Sequence, residues 1–149
     1  MAGALPHYTH GPDSYQVSAQ VLGGQLVIPD AGPAATVSVA GAAAINVLGV
    51  AGIDAAPIVS QAGNTTGYGQ PLTDISVLPD YVSVWHGVDI HVTYAAAATF
   101  GVLLKAAALG QVTPWVSGVD TNPATIVGRC TQPGGVAGAA TVARARIYG

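Results

Sequence analysis

The sequence predicts an all-β protein: a small β-barrel or β-sandwich of short antiparallel strands, with an extended N-terminal arm and at most short helical turns. Three observations carry this. Residues 81–94 alternate with period two: Val82, Val84, His86, Val88, Ile90, Val92 and Tyr94 fall on one face, and Tyr81, Ser83, Trp85, Gly87, Asp89, His91 and Thr93 on the other. Successive side chains of a strand point to opposite faces, so the first row builds a core and the second faces out, whereas a helix would scatter both. The 20 Gly and 10 Pro among 149 residues are the mark of many turns and short strands. Glu is absent and Lys105 is the single lysine, which removes the residues that usually cover exposed helices.

Taken in order, residues 1–13 hold Pro6, Gly11 and Pro12 without periodicity and read as the arm. Residues 14–149 form a single β-rich domain. Leu5, His7 and Tyr8 are candidate interface residues of an arm that either lies on a neighbouring chain or is a frayed terminus. From Ser14 the chain alternates through Tyr15, Val17, Ala19 and Val21, a half-buried strand; Gly23-Gly24 turns, and Gln25 to Ile28 returns as its hairpin partner, closed off by Pro29. Val37 and Val39 mark another strand, and Ile45 to Val50 a short apolar run, with room for a helical turn at 42–44. Ile58-Val59 is at best a short strand, 61–70 a polar loop, 72–78 an edge strand, and Pro79-Asp80 a turn. The Asn64-Thr65-Thr66 triplet reads as ordinary loop.

Residues 81–94 read as one long, bent central strand with the bend at Gly87, two short strands being the alternative. Between Ala95 and Leu109 alanine favours helix, but Gly101 and the Gly110-Gln111 turn favour a hairpin of 102–106 with 111–116, preceded by a helical turn near 95–99. A weak internal echo links 22–26 with 109–112 and Val47-Leu48-Gly49-Val50 with Ile126-Val127-Gly128-Arg129, as two related hairpin modules would. The final strand, 140–148, sets Val142, Arg144 and Arg146 against Thr141, Ala143, Ala145 and Ile147, and its two arginines suit a protected edge.

Composition narrows function. Half the residues are hydrophobic and 7% are charged, against about 25% in an average soluble domain. Because Gly, Pro, Ser, Thr and Asn interrupt every apolar run, a spanning helix is not predicted; burial of the exterior by other protein chains is. The four cations, Lys105, Arg129, Arg144 and Arg146, form no run in sequence and the net charge is −3, so nucleic acid and membrane surfaces are not expected partners. The N-terminus carries no charged and apolar pattern of a secretory signal. Cys130, the single cysteine, reads as a buried, inert thiol.

Chemistry finds little footing. His86, Asp89 and His91 lie close together without a nucleophile elbow; Asp89 and His91 read as a surface hydrogen-bonded pair, and His86 as a satisfied or interface histidine. His7 with His10, or Asp89 with His91, supplies two metal ligands but not a third and fourth. No glycine loop has the Lys of a phosphate cradle, and the seven Asp propose no carboxylate pair. The reading is no enzyme, no cofactor and no metal. Trp85 and Trp115 are candidate interface anchors, since aromatics concentrate at the centre of protein contacts; their alternative role is as stacking platforms of a carbohydrate-binding or adhesive β-module on a virion or cell surface.

The segments Leu78 to Val84, Val92 to Ala97, Phe100 to Pro114, Ile126-Val127-Gly128 and Ala140-Thr141-Val142 together resemble the capsid decoration, or cement, proteins of tailed bacteriophages. The resemblance implies a non-enzymatic protein, made in the host cytoplasm, that binds the major capsid protein on the capsid exterior of the virion and strengthens the head. It also implies a homo-oligomer, often a trimer.

Overall fold

The computed structural model describes residues 12–31, 35–57 and 78–149. The strands are β1 (Asp13–Val17), β2 (Leu26–Pro29), β3 (Thr36–Val39), β4 (Gly49–Ala51), β5 (Tyr81–Trp85), β6 (Asp89–Tyr94), β7 (Leu103–Ala106), β8 (Val112–Pro114), β9 (Ile126–Cys130) and β10 (Thr141–Ile147). Among the described residues, helix is confined to two 3-10 turns, Ala108–Gly110 and Pro123–Thr125. The all-β expectation therefore holds, and the architecture is two small barrels of five strands each. Residues 1–11 of the arm, Ile58-Val59, the 61–70 loop and nearly all of the edge strand expected at 72–78 lie outside the described residues, whereas Asp13, expected as the last residue of the arm, opens β1 by pairing with Val84.

The first barrel closes in the order β1-β3-β2-β4-β5 and the second in the order β6-β8-β7-β9-β10. Counted from its own first strand, each ring has the same order. Each also has one parallel pair, β1 with β3 and β6 with β8, while the remaining pairs are antiparallel. One five-stranded motif is thus used twice. The sequence echo caught part of this: Gly49 on β4 and Gly128 on β9 sit on the fourth strand of each ring. The other half of the echo is out of register, because Gly23-Gly24 precedes a second strand and Gly110 a third.

Four local expectations are corrected by closure. Residues 81–94 are two strands belonging to different barrels, separated where Gly87 takes a φ of +70°, a left-handed conformation that glycine adopts without steric cost. The Gly23-Gly24 turn is present, but β2 does not pair with β1; β2 sits between β3 and β4, and β1 between β3 and β5. No helical turn forms at 95–99: Ala98 exchanges two backbone hydrogen bonds with Val136 at 2.9 and 2.7 Å, which satisfy the chain better than an isolated helical turn. The last strand is not an edge either, since β10 pairs with both β6 and β9 and a closed barrel has none. The expected 102–106 hairpin is found as β7 with β8.

Why some strands read as unbroken apolar runs is clear from the packing. Val27 and Ala51 point into the first barrel with Val17, Val37, Val82 and Val84. Their neighbours Leu26 and Val50 point the other way and join the second barrel's core of Val92, Tyr94, Leu104, Val112, Ala145 and Ile147. β2 and β4 are buried on both faces, so hydrophobicity need not alternate along them. Backbone hydrogen bonds tie the barrels together: Gly110 N–H donates to Ala40 O at 3.0 Å, Ala43 N–H to Ala106 O at 2.8 Å, and Gly87 N–H to Ile147 O at 2.7 Å. Cys130 is buried, as its reading as an inert thiol requires.

Candidate interaction surfaces

The alternation of β10 buries Ala143, Ala145 and Ile147 and turns Val142, Arg144 and Arg146 outward. Asp89 and His91 project from β6 on one side and Arg129 from β9 on the other. In register, Arg146 lies opposite both Asp89 and Arg129, and Arg144 lies opposite His91. Arg146 Nε donates to Asp89 Oδ1 at 2.9 Å. The pair expected between Asp89 and His91 is thereby replaced. Same-face neighbours along a strand are roughly 6.5–7 Å apart, whereas residues opposite one another on paired strands are about 4.5–5.5 Å apart. Among the described residues, no carboxylate pairs with Arg129 or Arg144. Three of the four cations, scattered in sequence, therefore share one outer sheet face with His91. The signal that could have shown this lies in their strand positions, once β6, β9 and β10 are known to adjoin.

Beside this face runs a cleft of about 250 Å³ between the barrels, lined by Gly23, Gly24 and Gly52 on one side and His91, Thr93 and Val142 on the other. Trp85 is half-buried and rests on Gly52: a Cβ there would stand 2.7 Å from the indole Nε1, so the tryptophan can lie against the backbone only because residue 52 has no side chain. Val142 is 62% exposed at the cleft's rim. His86, read from the sequence as a satisfied or interface histidine, stands with its Nε2 3.6 Å from the Asp13 carboxylate. Trp115, also half-buried, follows β8, and its Nε1 is buried without an acceptor among the described residues. Leu5, His7 and Tyr8 lie outside the described residues, as does His10. The structure therefore puts the two tryptophans on different barrels. Among the described residues no three His, Cys, Asp or Glu side chains gather as a metal site.

A second feature is the 116–120 loop, which exposes Val116 and Val119. Lys105 Nζ donates to Asp120 Oδ1, while Asp120 Oδ2 accepts the Val116 N–H at 2.7 Å. The Lys105 ammonium, followed by that N–H, holds the Asp120 carboxyl below its ordinary value. A carboxyl lowered in the folded state contributes stability above its unfolded pKa of about 3.9, and loses it as pH falls through the folded value. The urea midpoint of the wild-type chain is thus expected to exceed that of Asp120→Asn at pH 6, with the gap closing as pH drops below about 4. Asp30, held low first by Ser18 and then by Ser38, titrates in the same range, but it is common to both chains and cancels in the difference. A gap that stays constant under strongly acidic conditions would show that the loop is not pinned by the ion pair.

No protein-family model matches the chain, and no curated protein matches it. Among solved structures, the N base of the head fibre gp8.5 of bacteriophage phi29 superposes with a TM-score of 0.61 at 14% sequence identity, over 94% of this chain and 95% of that one. The two chains share a fold. The overlap takes in nearly the whole of each, so the likeness concerns the chain as a unit and not a single barrel. The chain presents a basic sheet face, a glycine-floored cleft, and apolar side chains exposed in the 116–120 loop.

Proposed function

We propose that this chain is a structural protein of a bacteriophage virion, seated on the outside of the head and bound to the major capsid protein as a decoration protein. The observation that carries the reading is the near full-length match to the phi29 head-fibre base. Composition supports it: a chain with 7% charged residues has little surface that favours water over other protein. The role is non-catalytic and needs no cofactor. A protein that binds only the assembled lattice stabilises that lattice by mass action, and several copies multiply weak contacts into firm attachment. Synthesis in the host cytoplasm, followed by docking on assembled heads, fits such a part.

The test is direct. Purified protein added to expanded heads that lack it should bind to saturation and raise their melting temperature by several degrees. Binding with no change in melting temperature would assign the chain to attachment, as a fibre base, and remove the cementing role. No binding to such heads would overturn the proposal.

A further inference from the structure

Arg144 is a cation fixed at its backbone and left open at its tip. Its N–H donates to the Gln132 side chain at 3.3 Å, and its carbonyl accepts from the Tyr94 hydroxyl at 3.0 Å and from the Thr131 N–H at 3.2 Å. The residue is half-buried, yet among the described residues no carboxylate answers its guanidinium. A charge drawn partly out of water without a partner is where an incoming anion gains most. Arg129, exposed and equally without a carboxylate, lies diagonally across the β9–β10 pair, since the register sets it opposite Arg146, two residues along from Arg144. Diagonal neighbours stand roughly 7–8 Å apart, close to the roughly 6.5–7 Å between alternate residues of an extended chain. On the same face of β10 Val142 is exposed, at the rim of the cleft of about 250 Å³. Small-molecule pockets run to roughly 300–1,000 Å³, so this one suits a single side chain.

We propose that the outer face of β6, β9 and β10 docks an extended acidic segment of a partner protein. Two carboxylates of the segment, separated by one residue, pair with Arg144 and Arg129, and a neighbouring apolar side chain enters the cleft against Val142. Carboxylate suits these positions because its two oxygens match the planar fork of a guanidinium. Nucleic acid fits less well. Among the described residues the face has only two arginines free of an internal carboxylate, and the chain before residue 89 holds five Asp and no Lys or Arg, a formal charge that repels a long polyanion. The role of Arg146 is different, because Asp89 already neutralises it within the chain. The inference deepens the head-binding reading and rests on it for the source of the segment, the protein on which the chain sits.

Fluorescence anisotropy of the purified full chain tests this with no heads present. A labelled synthetic peptide of alternating Glu and Ser with one Leu should bind at about 0.05 M salt and be released at about 0.5 M, where exposed charge pairs are screened. The same peptide with Lys in place of Glu should not bind. Arg129→Glu combined with Arg144→Glu should weaken binding about tenfold or more, with circular dichroism unchanged, while Asp89→Asn, which frees Arg146, should tighten it. If the reversal variant fails to fold, Arg129→Gln with Arg144→Gln carries the same test, with a smaller loss expected. No binding of the acidic peptide, binding indifferent to these substitutions, or tighter binding of a short DNA duplex would overturn the proposal. Heads separate the two readings: a double variant that binds them as the wild type does sinks this inference alone, whereas a wild type that binds no head sinks the head-binding reading and leaves the peptide result to decide this one.

Discussion

Replacing Gly128 by alanine is expected to destabilise the protein by about 3 kcal/mol, the upper part of the range for overpacked interiors. Intrinsic preference argues the other way, since glycine in a strand is worse than alanine by roughly 0.5–1 kcal/mol. The sign is decided by geometry. A Cβ on Gly128 would stand 2.2 Å from the carbonyl oxygen of Arg146 and 2.9 Å from Ile147 Cδ1. The first of these is backbone, so relief requires β9 and β10 to move apart. That motion strains the register Ala145 with Cys130, Arg146 with Arg129, and Ile147 with Gly128, which closes the second barrel. Gly49 repeats the arrangement in the first barrel, where a Cβ would stand 2.4 Å from the Trp85 oxygen, and Gly49→Ala should behave alike. Gly138 is the control: a Cβ there would have nothing within 4 Å, and Gly138→Ala should be neutral or slightly stabilising. Urea unfolding of the three variants reads the result, and a Gly128→Ala midpoint equal to that of wild type would mean that the strands do not approach so closely.

The same glycine shows what a sequence can and cannot reveal about this fold. Alternation is a local property, and it reported faces correctly: Val82, Val84, Val92 and Tyr94 are buried, while Tyr81, Asp89 and His91 are exposed. Partnership is not local. Nothing in residues 81–94 says that the stretch feeds two barrels, because both strands keep the same phase across Gly87. Nor does a hairpin signal such as Gly23-Gly24 disclose that a third strand will insert beside the returning one. β2 and β4 blurred the pattern further by being buried on both faces. The candidate surfaces divide in the same way. Trp85 was legible as an outward residue, but not its contact with Gly52, which is 33 positions away in a different strand connection. The basic face needed Arg129, Arg144 and His91 to be brought together by pairing of β6, β9 and β10.

Tyr94 tests whether packing or hydrogen bonding governs the second barrel. It is among the largest side chains with no exposed surface, and its hydroxyl donates to Arg144 O at 3.0 Å, beneath the basic face. Burial, and then the neighbouring Cys130, push the phenol above its ordinary pKa, so at neutral pH it is a neutral donor. Tyr94→Ala removes a ring from an interior that cannot fully collapse around the gap, and about 3–5 kcal/mol is expected to be lost, as for other large aromatic deletions. Tyr94→Phe keeps the ring and removes only the hydroxyl. Its cost should be about 1 kcal/mol, limited because Arg144 O also accepts the Thr131 N–H at 3.2 Å. Against a total stability of about 5–15 kcal/mol, the first change threatens folding and the second does not. Comparing both by urea unfolding at neutral pH separates the two contributions. If Tyr94→Phe proved as damaging as Tyr94→Ala, the hydroxyl's bond to the β10 backbone, and not the filling of the barrel, would be what holds that sheet face in shape.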